Sequence, residues 1–169
     1  MDEVIRRCLS EYHPHQNCSI DEAMIAFRGR LGFRQYMPAK PTKFGIKVWM
    51  RADPHNGFVN NFQVYTGRET AAQPEGGLGA RVVLDLTAEL AGSNSIVNCD
   101  NFFSSPALFT KLLEKKIYAR GTVRTGRKGL PPPGLFDQKK LKTQGETVLC
   151  QKAPLLAVKW HDKKTVSLI

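Results

Sequence analysis

Two aspartates stand where a carboxylate could do chemistry. Asp21 lies inside "CSIDEAMIAF" (18–27), a short apolar run that reads as a strand, and Asp100 closes "SIVNCD" (95–100), an apolar segment running into "NFFSS". Two hard oxygen ligands brought within a few ångström suit Mg²⁺ or Mn²⁺. Without a cation such a pair repels, and one member is pushed towards its protonated form. Two divalent ions held there could clamp the attacking and leaving oxygens of a phosphodiester exchange. The competing reading is two solvated acids at strand ends, and spacing alone leaves both open. Glu22, next to Asp21, is expected on the opposite face of its strand, because side chains alternate.

The cationic residues offer a second chemistry. Residues 1–110 hold 11 Lys+Arg and 11 Asp+Glu, whereas residues 111–169 hold 14 and 4, so the net charge of +10 lies wholly in the last third. That skew points to a polyanionic partner, nucleic acid first, with a merely soluble basic surface as an equal alternative on charge alone. Arg120, Arg124, Arg127 and Lys128, followed by Lys139, Lys140 and Lys142, are candidate phosphate contacts, or else a solvated loop. Arg28, Arg30 and Arg34, with Lys40, Lys43 and Lys47, interleave with Phe27, Phe33 and Tyr36. That pattern suits a phosphate backbone with stacked bases, or alternatively ordinary strand and turn residues with their rings in the core.

Other chemistries find little support. Cys8, His13, His15 and Cys18 have no standard zinc spacing, and Pro14 would aim the groups apart. Four dispersed cysteines form no CxxC pair, which argues for a reducing compartment rather than a disulfide framework. Cys99 is expected to point into the core. "EGGLG" lacks the GK[ST] of a phosphate loop. No apolar run approaches the roughly 20 residues of a membrane span, and the N-terminus does not read as a signal peptide.

The elements that must position these residues follow from periodicity. Val4, Ile5, Cys8 and Leu9 predict a helix over 2–12 with Asp2 at its cap. Strands are predicted at 18–27, 42–53 and 58–67, the last two a hairpin around Asp53-Pro54-His55-Asn56-Gly57. A loop over 68–78 leads to a helix from Leu78, with Gly92 as its C-cap. A strand at 95–100, a helix over 104–116 opened by serine and Pro106, and a strand at 117–123 come next. A basic, proline-rich loop after Arg124 precedes three short strands near 146–151, 154–160 and 164–169. The order β-β-β-α-β-α-β makes a mixed α/β sheet with helices packed on it, the opening of the ribonuclease H fold, in which the first and fourth strands are neighbours.

"SIDEAMIAFRGRLGFRQYMPAKPTKFGIKVW" and "IVNCDNFFSSPALFTKLLEKKIYARGTVRTGRKGLP" closely resemble the transposase domain of the piggyBac family, and "VYTG", "GLGARVVLDL" and "LLAVKWHDKKTVSLI" fit it too. The resemblance covers nearly the whole chain. It implies a DDE-type, ribonuclease H-like nuclease that cuts and joins transposon DNA with divalent metal. Asp21 corresponds to the first catalytic aspartate and Asp100 to the second.

The resemblance further implies a core over 1–124 and a basic, β-rich insertion region over 125–169. The family's third aspartate is expected on a helix beyond Ile169, so the chain reads as a piece of a transposase, inactive for transposition and retaining at most DNA or divalent-metal binding. A rescuing third ligand from Glu22 or Asp53 is conceivable. Two alternatives stand beside that reading: a metal-dependent nuclease or strand-transferase completed by a longer product or a partner, and a non-enzymatic interaction module or remnant. Implied with these are TTAA-type target or transposon-end DNA, a homodimer or partner transposase, no membrane, and nuclear residence. A sheet face left uncovered is expected to promote self-association.

Overall fold

A computed structural model describes residues 1–67, 77–132, 136 and 141–169. Most of the loop expected over 68–78, and Lys139 and Lys140, lie outside them.

A helix, α1 (Asp2–Glu11), leads into β1 (Asn17–Ala26), β2 (Gln35–Tyr36), β3 (Phe44–Ala52) and β4 (Val59–Val64). Next come α2 (Gly77–Leu86), a 3-10 turn (Ala88–Leu90), β5 (Ile96–Cys99), α3 (Pro106–Glu114) and β6 (Tyr118–Gly121). The chain ends in β7 (Thr147–Lys152), β8 (Leu155–His161) and β9 (Thr165–Leu168).

The first sheet runs β2-β3-β1-β5-β6, with β4 also on β3. β3 lies antiparallel to β1, β2 and β4, whereas β5 lies parallel to β1 and β6 parallel to β5. The expected hairpin forms, and the first and fourth expected strands, β1 and β5, are neighbours.

Alternation explains the core. Cys18 and Ile20 of β1, Trp49 of β3, and Val97 and Cys99 of β5 point to one side and are buried there. They meet Ala80, Val82, Val83 and Leu86 of α2, and Leu108, Phe109 and Leu112 of α3. Both helices carry those residues at i, i+3, i+4 spacing, the stripe a sheet-packing helix needs. Ser105 caps α3, its hydroxyl accepting from the Leu108 amide at 3.2 Å. α1 packs against β4 and buries none of its residues.

Two local expectations are corrected. Met1, not Asp2, occupies the N-cap of α1, its carbonyl accepting from Val4 and Ile5. α2 stops at Leu86, before Thr87, whose hydroxyl bonds back to the Val83 carbonyl at 2.7 Å, a local contact that favours a helix end. The two-residue β2 left no periodic signal to find.

The second sheet, β7-β8-β9, is antiparallel. It is tied to the first beyond β6: the Gly121 and Ile169 amides and carbonyls exchange bonds of 2.9 and 3.0 Å, and the Val123 amide donates to Ser167. Leu155 and Ile169 pack on the first core.

Candidate metal-binding edge and nucleic-acid surface

Ile20 is paired with Cys99 in the parallel β1–β5 ladder. Asp21 and Asp100 each follow by one residue, so they occupy the same step on neighbouring strands about 4.8 Å apart, Asp21 in the middle of β1 and Asp100 just past the carboxyl end of β5. Ile20 and Cys99 are buried, and alternation turns both aspartates to the opposite side, where both are exposed.

Each carboxylate is half committed. Asp21 Oδ1 accepts the Glu22 amide at 2.7 Å, and Asp100 Oδ1 accepts the Phe102 amide at 2.9 Å. The turn after Asp100 is fixed further by Ser104, whose amide and hydroxyl donate to the Asp100 carbonyl at 3.1 and 2.8 Å. Phe103 drops from this turn into the core. The acid is therefore held at a strand-to-helix junction, with Oδ2 left for a cation. Gly121 of β6 lies so close that a Cβ there would overlap the Cys99 carbonyl and the Ser104 hydroxyl.

The arginines divide into two groups. Arg120, paired with Asn98 across β5–β6, lies on the aspartate side of the sheet. Its Nε donates to Asn98 Oδ1 at 2.7 Å and its Nη2 to Asn17 Oδ1 at 3.3 Å. Arg124 Nε donates to Asn101 Oδ1 at 3.0 Å, and Arg127 Nη2 donates to the Asn101 and Phe102 carbonyls. Three cations thus converge on β5 and the turn that carries Asp100. Arg28 and Arg30 lie elsewhere, exposed beyond the far end of β1, and Lys128 is exposed on the loop after Arg127.

The two acids offered as a third ligand are occupied. Glu22 is cross-strand from Trp49, on the core side, and pairs with Lys40 at 3.4 Å. Asp53 follows β3 at the opposite end of the sheet. It is wholly buried and accepts from the Tyr12 hydroxyl (2.8 Å), the His15 amide (2.8 Å) and the His55 amide (2.9 Å), with His15 Nδ1 at 2.7 Å. Burial pushes its carboxyl up, but these bonds outweigh it and hold the group well below the usual carboxylate range. Among the described residues no three His, Cys, Asp or Glu side chains gather as a metal cluster.

The two buried cysteines, Cys18 and Cys99, stay structural. Burial pushes the Cys18 thiol up to about 11 and the Cys99 thiol higher still, and His15 is turned to Asp53, so the Cys8–Cys18 segment forms no zinc site. Asn17, Asn98 and Asn101, which hold the arginines, were not singled out in the sequence. Asn98 could have been, because it sits two residues before Asp100 and so shares its face.

A family model described as "Transposase IS4", a DDE transposase model, matches residues 1–169. This defines the class. Human "PiggyBac transposable element-derived protein 3" is 36% identical over 129 residues, covering 73% of this chain and 21% of that protein. Human "PiggyBac transposable element-derived protein 2" is 27% identical over 158 residues, 89% of this chain and 26% of that protein. A piggyBac transposase solved in a synaptic complex with hairpin DNA superposes with a TM-score of 0.88 at 35% identity, over 99% of this chain and 35% of that one. The chain belongs to the piggyBac family of DDE transposases. It spans about a fifth to a quarter of the length of these two curated relatives.

Proposed function

We propose that residues 1–169 form the two-aspartate part of a divalent-metal-dependent, DDE-type DNA nuclease site, and that this polypeptide alone binds DNA and metal without cutting. The observation that carries the reading is the shared register of Asp21 and Asp100 on adjacent parallel strands, each with an oxygen to spare. The sheet order and the family support a ribonuclease H-like core over 1–124, with 125–169 as the insertion region.

The donor set fits Mg²⁺ or Mn²⁺, with two exposed hard oxygens and no soft ligand beside them. Bound there, the ion supplies Lewis-acid stabilisation of phosphoryl oxygens. Asp21 and Asp100 hold it. Arg120, Arg124 and Arg127, fixed by asparagines and backbone carbonyls, neutralise and orient the DNA backbone beside it, while Arg28, Arg30 and Lys128 extend the phosphate contacts. Two carboxylates position the ion poorly, and chemistry that rests on geometry and electrostatics loses orders of magnitude without the third.

A second reading is favoured by the same intact pair: nuclease or strand-transferase activity on transposon-end or TTAA-type DNA once a third carboxylate is supplied by further chain or a partner transposase. Residence in the nucleus follows from a DNA partner. Self-association is supported by the exposed Leu149, Leu156 and Trp160 of the second sheet.

The test is plasmid nicking and DNA binding by the purified 169-residue chain in Mn²⁺. DNA binding that weakens steeply with salt, without nicking, is the expected outcome. Nicking abolished by Asp100→Asn would move the account to the second reading, and no DNA binding at any salt would leave a non-enzymatic remnant.

A further inference from the structure

The loop between β1 and β3 carries a feature the metal edge does not use. Tyr36 of β2 and Phe44 of β3 are cross-strand partners, with ring centroids 4.6 Å apart and planes tilted by 30°. Both rings face solvent, at 58% and 51% exposure. A paired set of large rings this open offers a flat apolar surface to a ligand. Arg34 lies over the Phe44 ring at 5.7 Å. Beside Phe44 opens a cavity whose lining includes Phe27, Arg28, Arg34 and Lys43. Residues 27–47 contain six Lys or Arg and no Asp or Glu.

The platform is built rather than loose. Arg34 Nη1 donates to the Arg28 and Gly29 carbonyls at 3.4 and 3.3 Å, and the Met37 amide donates to the Lys43 carbonyl at 2.8 Å. Gly45, next to Phe44, lies so close to the Ile25 carbonyl that no Cβ fits, which presses this end of β3 onto β1.

Its position is set by register. Asp21 pairs with Met50, and Ile25 pairs with Ile46. Phe44 is two further residues along β3, so alternation puts its ring on the same side of the sheet as Asp21. Six residues at about 3.3 Å each set Phe44 about 20 Å from Met50.

We infer that Tyr36 and Phe44, flanked by Arg28, Arg34 and Lys43, bind unpaired nucleotides of a DNA strand whose duplex part lies towards Asp21 and Asp100. This rests on the DNA-binding reading above and extends it. A base stacked inside a duplex has no free face for these rings, whereas an unpaired base has one, and the flanking cations take its phosphates. A second copy of the chain is a poor occupant, because a symmetric contact would set this all-cationic segment against itself.

The experiment uses the 169-residue chain with fluorescently labelled DNA: a blunt duplex, and the same duplex with a short thymidine tail carrying one 2-aminopurine. The tailed DNA should bind more tightly, and the 2-aminopurine emission should be quenched. Phe44→Ala and Tyr36→Ala should each weaken tailed binding by about 5- to 150-fold, the range for loss of one stacked base. They should leave blunt binding unchanged and move the melting temperature by no more than a few degrees, since both rings are about half exposed and only their mutual contact is lost. Phe44→Trp should keep the preference. Equal affinity for the two DNAs, silent alanine variants, or a self-association lost in those variants would each overturn the inference while leaving DNA binding intact. Failure to bind either DNA would overturn it together with the DNA-binding reading.

Discussion

Arg51→Met should destabilise the fold by about 3–5 kcal/mol. The guanidinium is fully buried on β3, cross-strand from Ile20 and one step from Asp21. Its Nε donates to Asn60 Oδ1 at 2.5 Å and its Nη1 to the Leu86 carbonyl at 2.7 Å, where α2 ends. Nη1 also pairs with Glu89. Asn60 is the extra residue where the β3–β4 register slips, so this one side chain joins an irregular strand pair to the end of the core helix. Removing it takes the donor from buried Asn60 Oδ1 and the strong donor from the Leu86 carbonyl, at about 1–3 kcal/mol each. The Leu86 carbonyl keeps only a 3.4 Å contact from Asn61, whereas Glu89, a third exposed, turns to water. For a chain of this size each kcal/mol moves Tm by about 2–4 °C, so Tm should fall by about 6–20 °C. The opposite expectation has a basis: Arg51 Nη2 is buried without a partner, and replacing a buried charge with an apolar side chain can stabilise. It requires that no acceptor be orphaned, whereas here Asn60 Oδ1 loses its donor and the Leu86 carbonyl keeps only a long one. Thermal melting followed by circular dichroism decides, and a Tm for Arg51→Met at or above wild type would refute the reasoning.

Other outcomes follow from the same geometry. The Asp53 carboxyl is held below its ordinary range in the folded chain, so its contribution is complete above the unfolded value of 3.8 and fades as pH falls through the lowered folded one. The Tm gap between wild type and Asp53→Asn should therefore narrow on acidification below about pH 4, and a gap that widens in acid would contradict this. Gly121→Ala should push β6 away from the Asp100 turn and lower stability by about 1–3 kcal/mol or more, read by urea unfolding. Ser105→Ala, which removes the α3 cap, should cost about 1 kcal/mol in the same assay.

Much of the site's frame was legible because it rests on short-range rules. Alternation in "CSID" and "IVNCD" put the cysteines and Ile20 inward and the aspartates outward, and the β-β-β-α-β order made β1 and β5 neighbours. Cap chemistry announced α3 through Ser105 and Pro106. What escaped was long-range. Nothing near Asp53 in the sequence says that Tyr12 and His15 will close over it, forty residues away. The asparagines that fix Arg120 and Arg124 carry no periodic signal, and two-residue β2 is too short to show any. Its absence hid the Tyr36–Phe44 pairing, although the basic-aromatic stretch around it stood out.

The central claim is that Asp21 and Asp100 jointly hold a divalent ion. The most direct test is Mn²⁺-induced line broadening in amide NMR spectra of the 169-residue chain. Broadening centred on residues 20–22 and 99–102, reversed by Mg²⁺ and lost in both Asp21→Asn and Asp100→Asn, is the predicted result. Broadening that is absent there, or that survives both substitutions, would contradict the account.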